Sequence, residues 1–528
     1  MSITESVFAS DNKPEVFIKS ITFNDDTTLT LSKGSILVFT GANNSGKSQV
    51  LKDVFSSFNE SKSNKKLISN IFFDFIGEIG ESFWNSNFFA TADGNITTYS
   101  RTHNYYEKET VLQQWNTHKL PYDLHKLFIK LIDTEQRLTT SNALRRSEFP
   151  EKHPIYKLTK NQKLSQAISD YFRKAFNSDL VLDYNAISTI PLRVGNAPDG
   201  TSFTFAQRDE FTKEVENLEL LEQQGDGMRS FASILLDTFT SEHTITLIDE
   251  PEAFLHPPQA RLLGKMLVNN NPTNRQLLIS THSEDFLQGL LDSKNSNVTV
   301  IHINRVNNIN HMSILENSSI KNLWGNPILR YSYILSGLFH DKVIVCESDY
   351  DCLFYQAMIN AIYEEAGSTV PDVFFTHCGG KNRMKYVVSS LSALKVPVVA
   401  IPDFDIINKK AEFKPLVESF NMSWADLDME SIYDWLNSNT RAKEDIKRMG
   451  KNALDNIAAE KYSLVEARCR LAGLFIVPCG EMECFVKNRF SKAEWVYDIL
   501  ENKNLATDVC LKDAREFIQS VIDFKPCI

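Results

Sequence analysis

The feature that most constrains the fold is an apolar stretch that runs into a glycine-rich turn near the start of the chain. Residues 36–39 are all large and apolar, and residues 41–48 read Gly-Ala-Asn-Asn-Ser-Gly-Lys-Ser. This is the GxxxxGK[ST] pattern between a strand and a helix, which is the setting that a phosphate-binding loop requires. A chance glycine turn is the alternative, but such a turn would not need a strand before it and a helix after it. The pattern predicts an α/β domain whose loop offers backbone N–H groups and a helix N-terminus to a nucleotide.

The residues of this loop have distinct predicted tasks. The glycines let the backbone turn around the phosphates, Lys47 contacts the β- and γ-phosphates, and Ser48 holds Mg²⁺. The loop residues that we expect to bind ATP are Gly41, Asn43, Asn44, Ser45, Gly46, Lys47 and Ser48.

Two further apolar strands each end in residues suited to this chemistry. Residues 244–248 lead to Asp249 and Glu250, and residues 277–281 lead to His282. A buried strand would deliver Asp249 to the metal while Glu250 polarises water. An acidic pair or a histidine after a strand is commonly structural, so the order of these elements along the chain carries the prediction.

That order resembles the order in ABC- and SMC-type ATPases. Residues 224–230 read Gln-Gly-Asp-Gly-Met-Arg-Ser, precede a predicted helix at 231–239 and resemble a degenerate ABC signature. The resemblance implies that His282 is the switch histidine and that ATP lies between two head-to-tail protomers, in a homodimer or a higher even oligomer. The signature residues that would face the partner's phosphates are Gly225, Gly227 and Ser230.

Carboxylates follow two more buried strands in the second half of the chain. Residues 343–346 lead to Glu347, and residues 398–401 lead to Asp403 and Asp405, which alternation places on one side. Acids at the carboxyl ends of parallel strands converge on the crevice where α/β sheets place ligands. Several carboxylates in one place repel each other unless divalent cations neutralise them. The sequence therefore predicts a Mg²⁺ site, with Mn²⁺ as the alternative ion.

Two other acids are candidates for the same site. Asp351 follows Glu347 by four residues, and Glu483 follows an apolar stretch at 475–477. We favour Glu483 over Glu481 because a helix predicted to begin there could turn it inward. For any single acid, capping of a helix N-terminus is the alternative interpretation. The predicted metal ligands of this half are Glu347, Asp351, Asp403, Asp405 and Glu483.

The pattern of a glutamate after one strand and DxD after a later one resembles a Toprim domain. The two halves together resemble the OLD (overcoming lysogenization defect) family, in which an ABC/SMC-like ATPase precedes a Toprim domain, as in the Gabija nuclease subunit and retron-associated effectors. The resemblance implies an ATPase that is also a metal-dependent endonuclease of DNA, with RNA as the alternative substrate. It further implies antiphage defence beside a partner such as a helicase or a reverse transcriptase. The family also uses a late lysine, for which Lys512 is the candidate by position and Lys487 and Lys492 are rivals.

The length of 528 residues predicts two or three domains. We expect an ABC/SMC-like ATPase domain at 1–335, with a helical or dimerisation insertion at 55–200, and a Toprim-like α/β nuclease domain at 336–528. Within the insertion, helices are predicted near 122–138 and 162–177.

Composition limits the remaining possibilities. No apolar run approaches the ~20 residues that span a bilayer, and the N-terminus lacks the features of a secretory signal. All eight cysteines lie from Cys346 onward without zinc-ligand spacing, which predicts reduced thiols in the cytoplasm. The net charge of −11 argues against coating nucleic acid non-specifically, but not against a local basic groove.

A basic stretch on a predicted helix is a candidate for such a groove. Contact with backbone phosphates and a solvated helix face are both compatible with it, and the second is more common. Its residues are Arg441, Lys443, Lys447, Arg448 and Lys451.

Three other functions compete with the nuclease. An SMC- or RecF-like repair ATPase with a non-catalytic C-terminal half is the main alternative, although no sustained heptad pattern indicates coiled-coil arms. A topoisomerase or primase would need further domains for which little chain remains. An ABC transporter subunit is disfavoured by the Toprim-like half.

Overall fold

The structure is a computed structural model. The residues it describes are 13–57, 66–90, 97–100, 105–120, 124–145, 153–184, 186, 188–198, 212–293, 297–306, 309–315, 334–487 and 491–525. The chain divides into two compact units, Met1–Asn317 and Ser318–Ile528. The predicted boundary at 335 lies slightly later than this division.

Among the residues that the structure describes, the first unit contains strands of two to nine residues and nine α-helices. Its strands are β1 (Glu15–Phe23), β2 (Thr28–Thr30), β3 (Ile36–Thr40), β4 (Ile68–Ile76), β5 (Phe88–Ala90), β6 (Thr97–Ser100), β7 (Tyr105–Glu107), β8 (Ile129–Ile132), β9 (Leu144–Arg145), β10 (Asp179–Leu182), β11 (Thr189–Ile190), β12 (Leu192–Gly195), β13 (Glu219–Leu220), β14 (Ile245–Asp249), β15 (Gln276–Ser280), β16 (Val298–Val306) and β17 (Ile309–Leu315). Its helices are α1 (Lys47–Ser56), α2 (Glu81–Asn87), α3 (Lys108–Asn116), α4 (Arg137–Thr140), α5 (Pro154–Lys160), α6 (Gln162–Phe176), α7 (Asp226–Phe239), α8 (Pro257–Asn269) and α9 (Glu284–Leu291).

A six-stranded sheet in the order β17-β16-β3-β15-β14-β8 organises this unit. Every neighbouring pair from β16 to β8 is parallel, and β17 pairs with β16 antiparallel. The strand before the loop, the histidine strand and the acidic strand are therefore the three neighbours β3, β15 and β14. Because they are parallel, their carboxyl ends meet at one edge of the sheet, as the sequence analysis requires.

The sheet is buried on both faces, which explains why its strands are almost continuously apolar. All five residues of β3 and of β15 are buried. On one face, Val50, Leu51 and Val54 of α1 pack in the same cluster as Leu37 of β3 and Leu278 of β15. The helix that follows the loop is thus fixed against the strand that precedes it.

The described residues of 55–200 form strands as well as helices, and not helices alone. The role of this insertion in dimerisation stays a prediction. The stretch expected to be helical near 122–138 contains a 3₁₀ helix at Leu124–Leu127, the strand β8 and the start of α4. Within β8, Ile129 and Ile132 pair with Ile245 and Ile248 of β14. Residues 129–132 form a strand and not a helix because the strand extends the parallel sheet and buries both isoleucines. The helix expected near 162–177 is confirmed as α6.

The second unit is built around a smaller parallel sheet in the order β19-β18-β20. Its strands are β18 (Lys342–Cys346), β19 (Val373–His377) and β20 (Val398–Ile401). Its helices are α10 (Asp349–Glu365), α11 (Lys381–Ala393), α12 (Lys410–Ser419), α13 (Met429–Ser438), α14 (Thr440–Met449), α15 (Asn456–Ala472), α16 (Lys492–Asn502) and α17 (Lys512–Asp523).

The apolar stretch at 475–477 runs beside β20 without forming a named strand. Ala400 makes an isolated parallel bridge with Leu474, and Phe475 N–H donates to the Ala400 carbonyl at 2.9 Å. In the same core, Trp495 of α16 is fully buried, and its ring centroid lies 5.0 Å from that of Phe354 of α10. This packing fixes the start of α16 relative to α10.

Among the described helices, none has both the length and the apolar character to cross a membrane. The seven described cysteines are free thiols.

Candidate functional sites

The phosphate-binding loop has the backbone geometry that its glycines predict. Gly41 has φ 148°, and a Cβ there would lie 2.3 Å from the carbonyl oxygen of Ile303. Only glycine fits this position, because any side chain would collide with the neighbouring strand. Lys47 is buried, and its Nζ donates to the carbonyls of Gly41 and Ala42, both at 2.7 Å. A phosphate bound in the loop would compete with these two carbonyls for the ammonium group.

The acidic strand and the histidine strand bring Glu250 and His282 into direct contact. Glu250 Oε1 lies 2.9 Å from His282 Nε2, and Glu250 has a left-handed φ of 47°. The hydrogen bond from His282, with smaller effects from Lys47 and Arg137, holds the pKa of Glu250 below its usual range. Glu250 is therefore an ionised carboxylate, the form that a general base needs.

Asp249 is held separately, by the hydroxyl of Ser280 on β15. The Glu250 N–H donates to the Ser280 carbonyl at 3.1 Å. Hydrogen bonds thus join the ends of β14 and β15. The hydroxyl of Ser280 holds Asp249, and the imidazole of His282 holds Glu250.

Arg137 is a residue of this site that the sequence analysis missed. Its side chain is fully buried, and NH1 donates to the carbonyls of Glu250 at 2.9 Å and Asp249 at 3.2 Å. Among the described residues, its Nε and NH2 have no hydrogen-bond partner. Burial lowers the pKa of Arg137, while the nearby acids Glu252, Asp249, Glu250 and Asp133 oppose this shift. Arg137 begins α4, five residues after the end of β8, so no local sequence pattern indicates its part in this site.

The signature segment opens α7 one turn earlier than predicted, at Asp226, with Gly225 as the N-cap. Gly225 is exposed and Gly227 is half-buried. Ser230 is fully buried within its own unit, so the structure does not present this side chain to a second protomer. Arg229 NH2 donates to the Leu138 carbonyl at 2.9 Å, which joins the signature helix to α4 and Arg137.

In the second unit, the ends of β18 and β20 bring Glu347 and Asp403 together. The Asp403 N–H donates to Glu347 Oε1 at 3.0 Å. Burial, together with Asp405 and Asp351, raises the pKa of Glu347 to about 6. Burial and the charge of Glu347 raise the pKa of Asp403 well above its ordinary value. Acids crowded in this way gain stability from any cation placed among them.

We call the five acids Glu347, Asp351, Asp403, Asp405 and Glu483 the carboxylate cluster. Two lysines supply positive charge to it. Lys381 Nζ lies 2.6 Å from Asp405 Oδ2. Lys492 Nζ lies 2.7 Å from Asp351 Oδ1, and both groups are largely buried. Burial lowers the pKa of Lys492, but Asp403, Asp351 and Glu483 outweigh this effect and raise it. Lys381 begins α11, directly after Gly379 and Gly380, which have left-handed φ values of 66° and 118°.

Lys512, the candidate chosen by sequence position, does not lie at these acids. It begins α17, its side chain is 67% exposed, and its Nζ lies 3.7 Å from Glu516. Lys492 takes its place because the packing of Trp495 against Phe354 holds the start of α16 against Asp351. The third candidate, Lys487, is exposed.

The acids Asp351 and Glu483 differ in how they are held. Asp351 accepts at Oδ2 from the N–H and the hydroxyl of Ser348, each at 2.9 Å, so it also closes a capping box on α10. Glu483 Oε2 is buried and has no hydrogen-bond partner among the described residues. Burial raises the pKa of Glu483. A buried oxygen without a donor is a position that a cation would satisfy.

The oxygen atoms of the carboxylate cluster are suitable ligands for a divalent cation. Their present positions do not form a complete coordination shell. Within the described ranges, no three His, Cys, Asp or Glu side chains converge at metal-ligand spacing. The carboxylate oxygens are the ligands that Mg²⁺ and Mn²⁺ prefer. Burial is the main cause of the raised pKa values of Glu347 and Asp403, and it outweighs the opposing charge of Lys381 on the first and of Lys492 on the second.

The predicted basic helix, α14, lies beside this cluster. Lys447 Nζ is 3.0 Å from Glu481 Oε1, and this pairing raises the pKa of Lys447, with smaller contributions from Asp405 and Asp403. Gly480 has φ 119°, and a Cβ there would lie 2.4 Å from the Lys447 carbonyl. Glycine at this position lets the acidic loop and the basic helix approach each other closely.

Two family models match this chain, one in each half. Residues 88–287 match the model described as "AAA domain, putative AbiEii toxin, Type IV TA system". Residues 338–405 match "Overcoming lysogenization defect protein-like, TOPRIM domain". The second range includes Glu347, Asp403 and Asp405. An ATPase domain is thus followed by a nuclease-type Toprim domain, and together they imply the use of a nucleotide and of divalent metal.

Solved structures similar to this chain include the SMC head domain from Thermotoga maritima, at 13% identity and a TM-score of 0.30, covering 58% of this chain and 100% of that one. Another is the Smc head domain with an extended coiled coil, bound to the C-terminal domain of ScpA, from Pyrococcus furiosus. Its identity is 9% and its TM-score 0.36, and it covers 59% of this chain and 99% of that one. A search of curated proteins found no match.

Proposed function

We propose that this chain, which belongs to the OLD family of ATPase–Toprim fusions, is an ATP-controlled endonuclease that cuts DNA with Mg²⁺ or Mn²⁺. The observation that carries the proposal is the joining of Glu347 and Asp403 at the ends of two adjacent parallel strands. With Asp405 two residues further along the chain, these acids provide the charge that a metal-dependent phosphodiesterase needs.

Five carboxylates would hold the metal: Glu347, Asp351, Asp403, Asp405 and Glu483. When bound, divalent cations activate a water molecule and stabilise the leaving oxygen of a phosphodiester. Lys492 is placed to offset negative charge on the phosphate, because its ammonium already lies among Asp351, Asp403 and Glu483. Lys381 orients Asp405 through their 2.6 Å contact.

The ATPase half would control this activity through nucleotide binding. Lys47 and the loop bind the phosphates, Ser48 and Asp249 hold Mg²⁺, and Glu250 removes a proton from the attacking water. Gly225, which is exposed, and Gly227, which is half-buried, would meet the phosphates of a second copy. ATP would therefore close a homodimer, or a higher even oligomer.

A nucleic-acid path beside the carboxylate cluster is provided by α14. Arg441, Lys443 and Arg448 are exposed on this helix, and Lys447 reaches the acidic loop. Phosphate contacts from such a helix give affinity without sequence preference. By resemblance to its family, the chain would act in the cytoplasm in antiphage defence, beside a helicase or a reverse transcriptase.

The test is cleavage by the purified full-length chain of supercoiled plasmid, linear duplex DNA and structured RNA. Each substrate is incubated with Mg²⁺, with Mn²⁺ and with EDTA, in the presence and absence of ATP. We expect metal-dependent cutting of DNA. Cleavage that persists in EDTA would overturn the metal assignment, and cleavage of RNA alone would overturn the DNA assignment.

A matched variant separates the two halves. Lys47→Ala should abolish the effect of ATP on cleavage while leaving nucleotide-free cleavage intact, since Lys47 belongs to the other unit. If Lys47→Ala responded to ATP like the wild type, ATP would not act through this loop.

A further inference from the structure

The helix α15 carries a row of large apolar side chains on its solvent-exposed face. Ile457, Leu464 and Leu471 are 69%, 68% and 78% exposed. They follow each other at intervals of seven residues. The opposite face of the helix is already used, because Ala458, Tyr462, Val465 and Cys469 are buried in the unit.

Single exposed apolar residues are ordinary, but this regular row is not. Seven residues make almost two full turns of an α-helix, so the three side chains lie on one line about 21 Å long at 1.5 Å per residue. A seven-residue apolar spacing is the pattern by which one helix packs along another. We call Ile457, Leu464 and Leu471 the α15 stripe.

The charges beside the stripe indicate what covers it. Glu460 lies four residues before Leu464 and Arg468 lies four residues after it. Both are exposed, and neither forms an ion pair with any residue that the structure describes. Eight residues, about 12 Å along the axis, separate them, so they do not reach each other within one helix.

From this arrangement we propose that the α15 stripe is a self-association surface that pairs with the same stripe of a second copy, in the antiparallel direction. With the two-fold axis at Leu464, Ile457 meets Leu471 of the other copy, and Glu460 meets Arg468. The same ion pair forms twice by symmetry, as in any isologous interface. A parallel alignment would instead place Glu460 against Glu460 and Arg468 against Arg468.

This contact does not rest on the proposed nuclease function, and it needs no nucleotide. If the ATPase domains also dimerise, the stripe contact would join two such dimers into a larger even assembly. Alternatively, it would hold two copies together before ATP binds. Either arrangement raises the effective concentration at which the second contact forms.

The first test is the mass of the full-length chain by sedimentation, without nucleotide, for the wild type and Leu464→Glu. Leu464 is exposed, so folding should be unaffected, and an unchanged thermal unfolding midpoint checks this. We expect Leu464→Glu to halve the mass of the assembly. A wild type that is monomeric at all concentrations, or an equal mass for both proteins, would overturn the proposal.

The second test uses the charges and is specific to the antiparallel arrangement. Glu460→Arg and Arg468→Glu should each weaken self-association by roughly tenfold, because each replaces two attractive contacts by two repulsive ones. The double reversal Glu460→Arg with Arg468→Glu should restore wild-type association. Glu501→Arg, an exposed charge reversal on α16, is the matched control and should have no effect.

The double reversal decides whether the two copies pair in the antiparallel direction. If it stays as weak as the single variants, Glu460 and Arg468 do not face each other across the interface, and the antiparallel proposal fails. If it recovers, the interface is self-complementary.

Discussion

The main-chain N–H of Asp403 donates to the carboxylate of Glu347 at 3.0 Å, across the ends of the neighbouring strands β20 and β18. This bond fixes the position of one acid by the backbone of the other, so the spacing of the two carboxylates is set by the sheet itself. A constellation built on strands is held more rigidly than one built on loops. The central acids of the carboxylate cluster therefore have a defined separation, while Glu483 lies on a separate turn.

Lys492, and not Lys512, should be the lysine needed for phosphodiester cleavage. Lys492→Ala should lower the cleavage rate by about 10²- to 10³-fold, because a positive group beside the developing charge is lost. Lys512→Ala is the matched control and should cleave like the wild type, since its side chain is exposed and pairs with Glu516. Cleavage rates of the two variants on the same plasmid decide this. A larger loss in Lys512→Ala would reverse the assignment.

Glu250→Gln should bind ATP and fail to hydrolyse it. The amide cannot take a proton from water, so turnover should fall by about 10²- to 10⁴-fold, while the loop and Lys47 remain intact. ATPase rate and binding of a labelled nucleotide are measured side by side. Lys47→Ala provides the contrast, because it should lose binding as well as turnover. ATPase rates near wild type in both variants would remove the assignment of the nucleotide site.

Arg137→Lys should lower kcat for ATP with little change in KM. The guanidinium NH1 holds the carbonyls of Asp249 and Glu250 and so fixes the left-handed backbone at the proposed base. Lysine keeps the positive charge but lacks the planar guanidinium group that donates to both carbonyls. A catalytic base displaced by about 1 Å lowers the reaction rate on the order of 10²-fold. Arg145→Lys, an exposed arginine on β9, is the control. A loss confined to KM would mean that Arg137 contacts the nucleotide instead of positioning Glu250.

Acidification should destabilise the first unit through His302. Burial, with a smaller effect from Lys47, lowers the pKa of His302 to about 4, against about 6.5 in an unfolded chain. Between these values the unfolded chain binds a proton that the folded chain does not. The contribution of His302 to the free energy of unfolding is therefore fully present above pH 6.5 and is lost as the pH drops toward 4.

His302→Asn should remove this part of the pH dependence. Urea unfolding from pH 4 to 8 measures it, and the wild type should lose up to about 1.4 kcal/mol per pH unit more than the variant within that window. Equal slopes for the two proteins would show that His302 is protonated in the folded state.

The nucleotide site could be predicted largely from sequence because its signals are local. The loop lies between its own strand and helix, and Asp249, Glu250 and His282 end strands that are apolar throughout. The contact between Glu250 and His282 follows from the neighbouring positions of β14 and β15. Arg137 could not be found in this way, because β8 has only four residues and its place in the sheet depends on pairing with β14, more than a hundred residues later.

The second unit shows the same division between local and long-range signals. Glu347, Asp403 and Asp405 follow apolar strands and were readable as a group. The choice between Lys492 and Lys512 was not, because nothing local distinguishes two helix-starting lysines. Packing of Trp495 on Phe354 decides which of them reaches Asp351. The burial of Ser230 likewise depends on how α7 packs, which its motif does not reveal.

The most direct test of the account is cleavage of supercoiled DNA by the wild type and by Asp403→Ala, each with Mg²⁺ and with chelator. Asp349→Ala, which removes an exposed acid close to Glu347 in the chain, is the control. The account predicts cutting by the wild type and by Asp349→Ala with Mg²⁺ only, and none by Asp403→Ala, which should still hydrolyse ATP. Equal cleavage by the wild type and Asp403→Ala would contradict it.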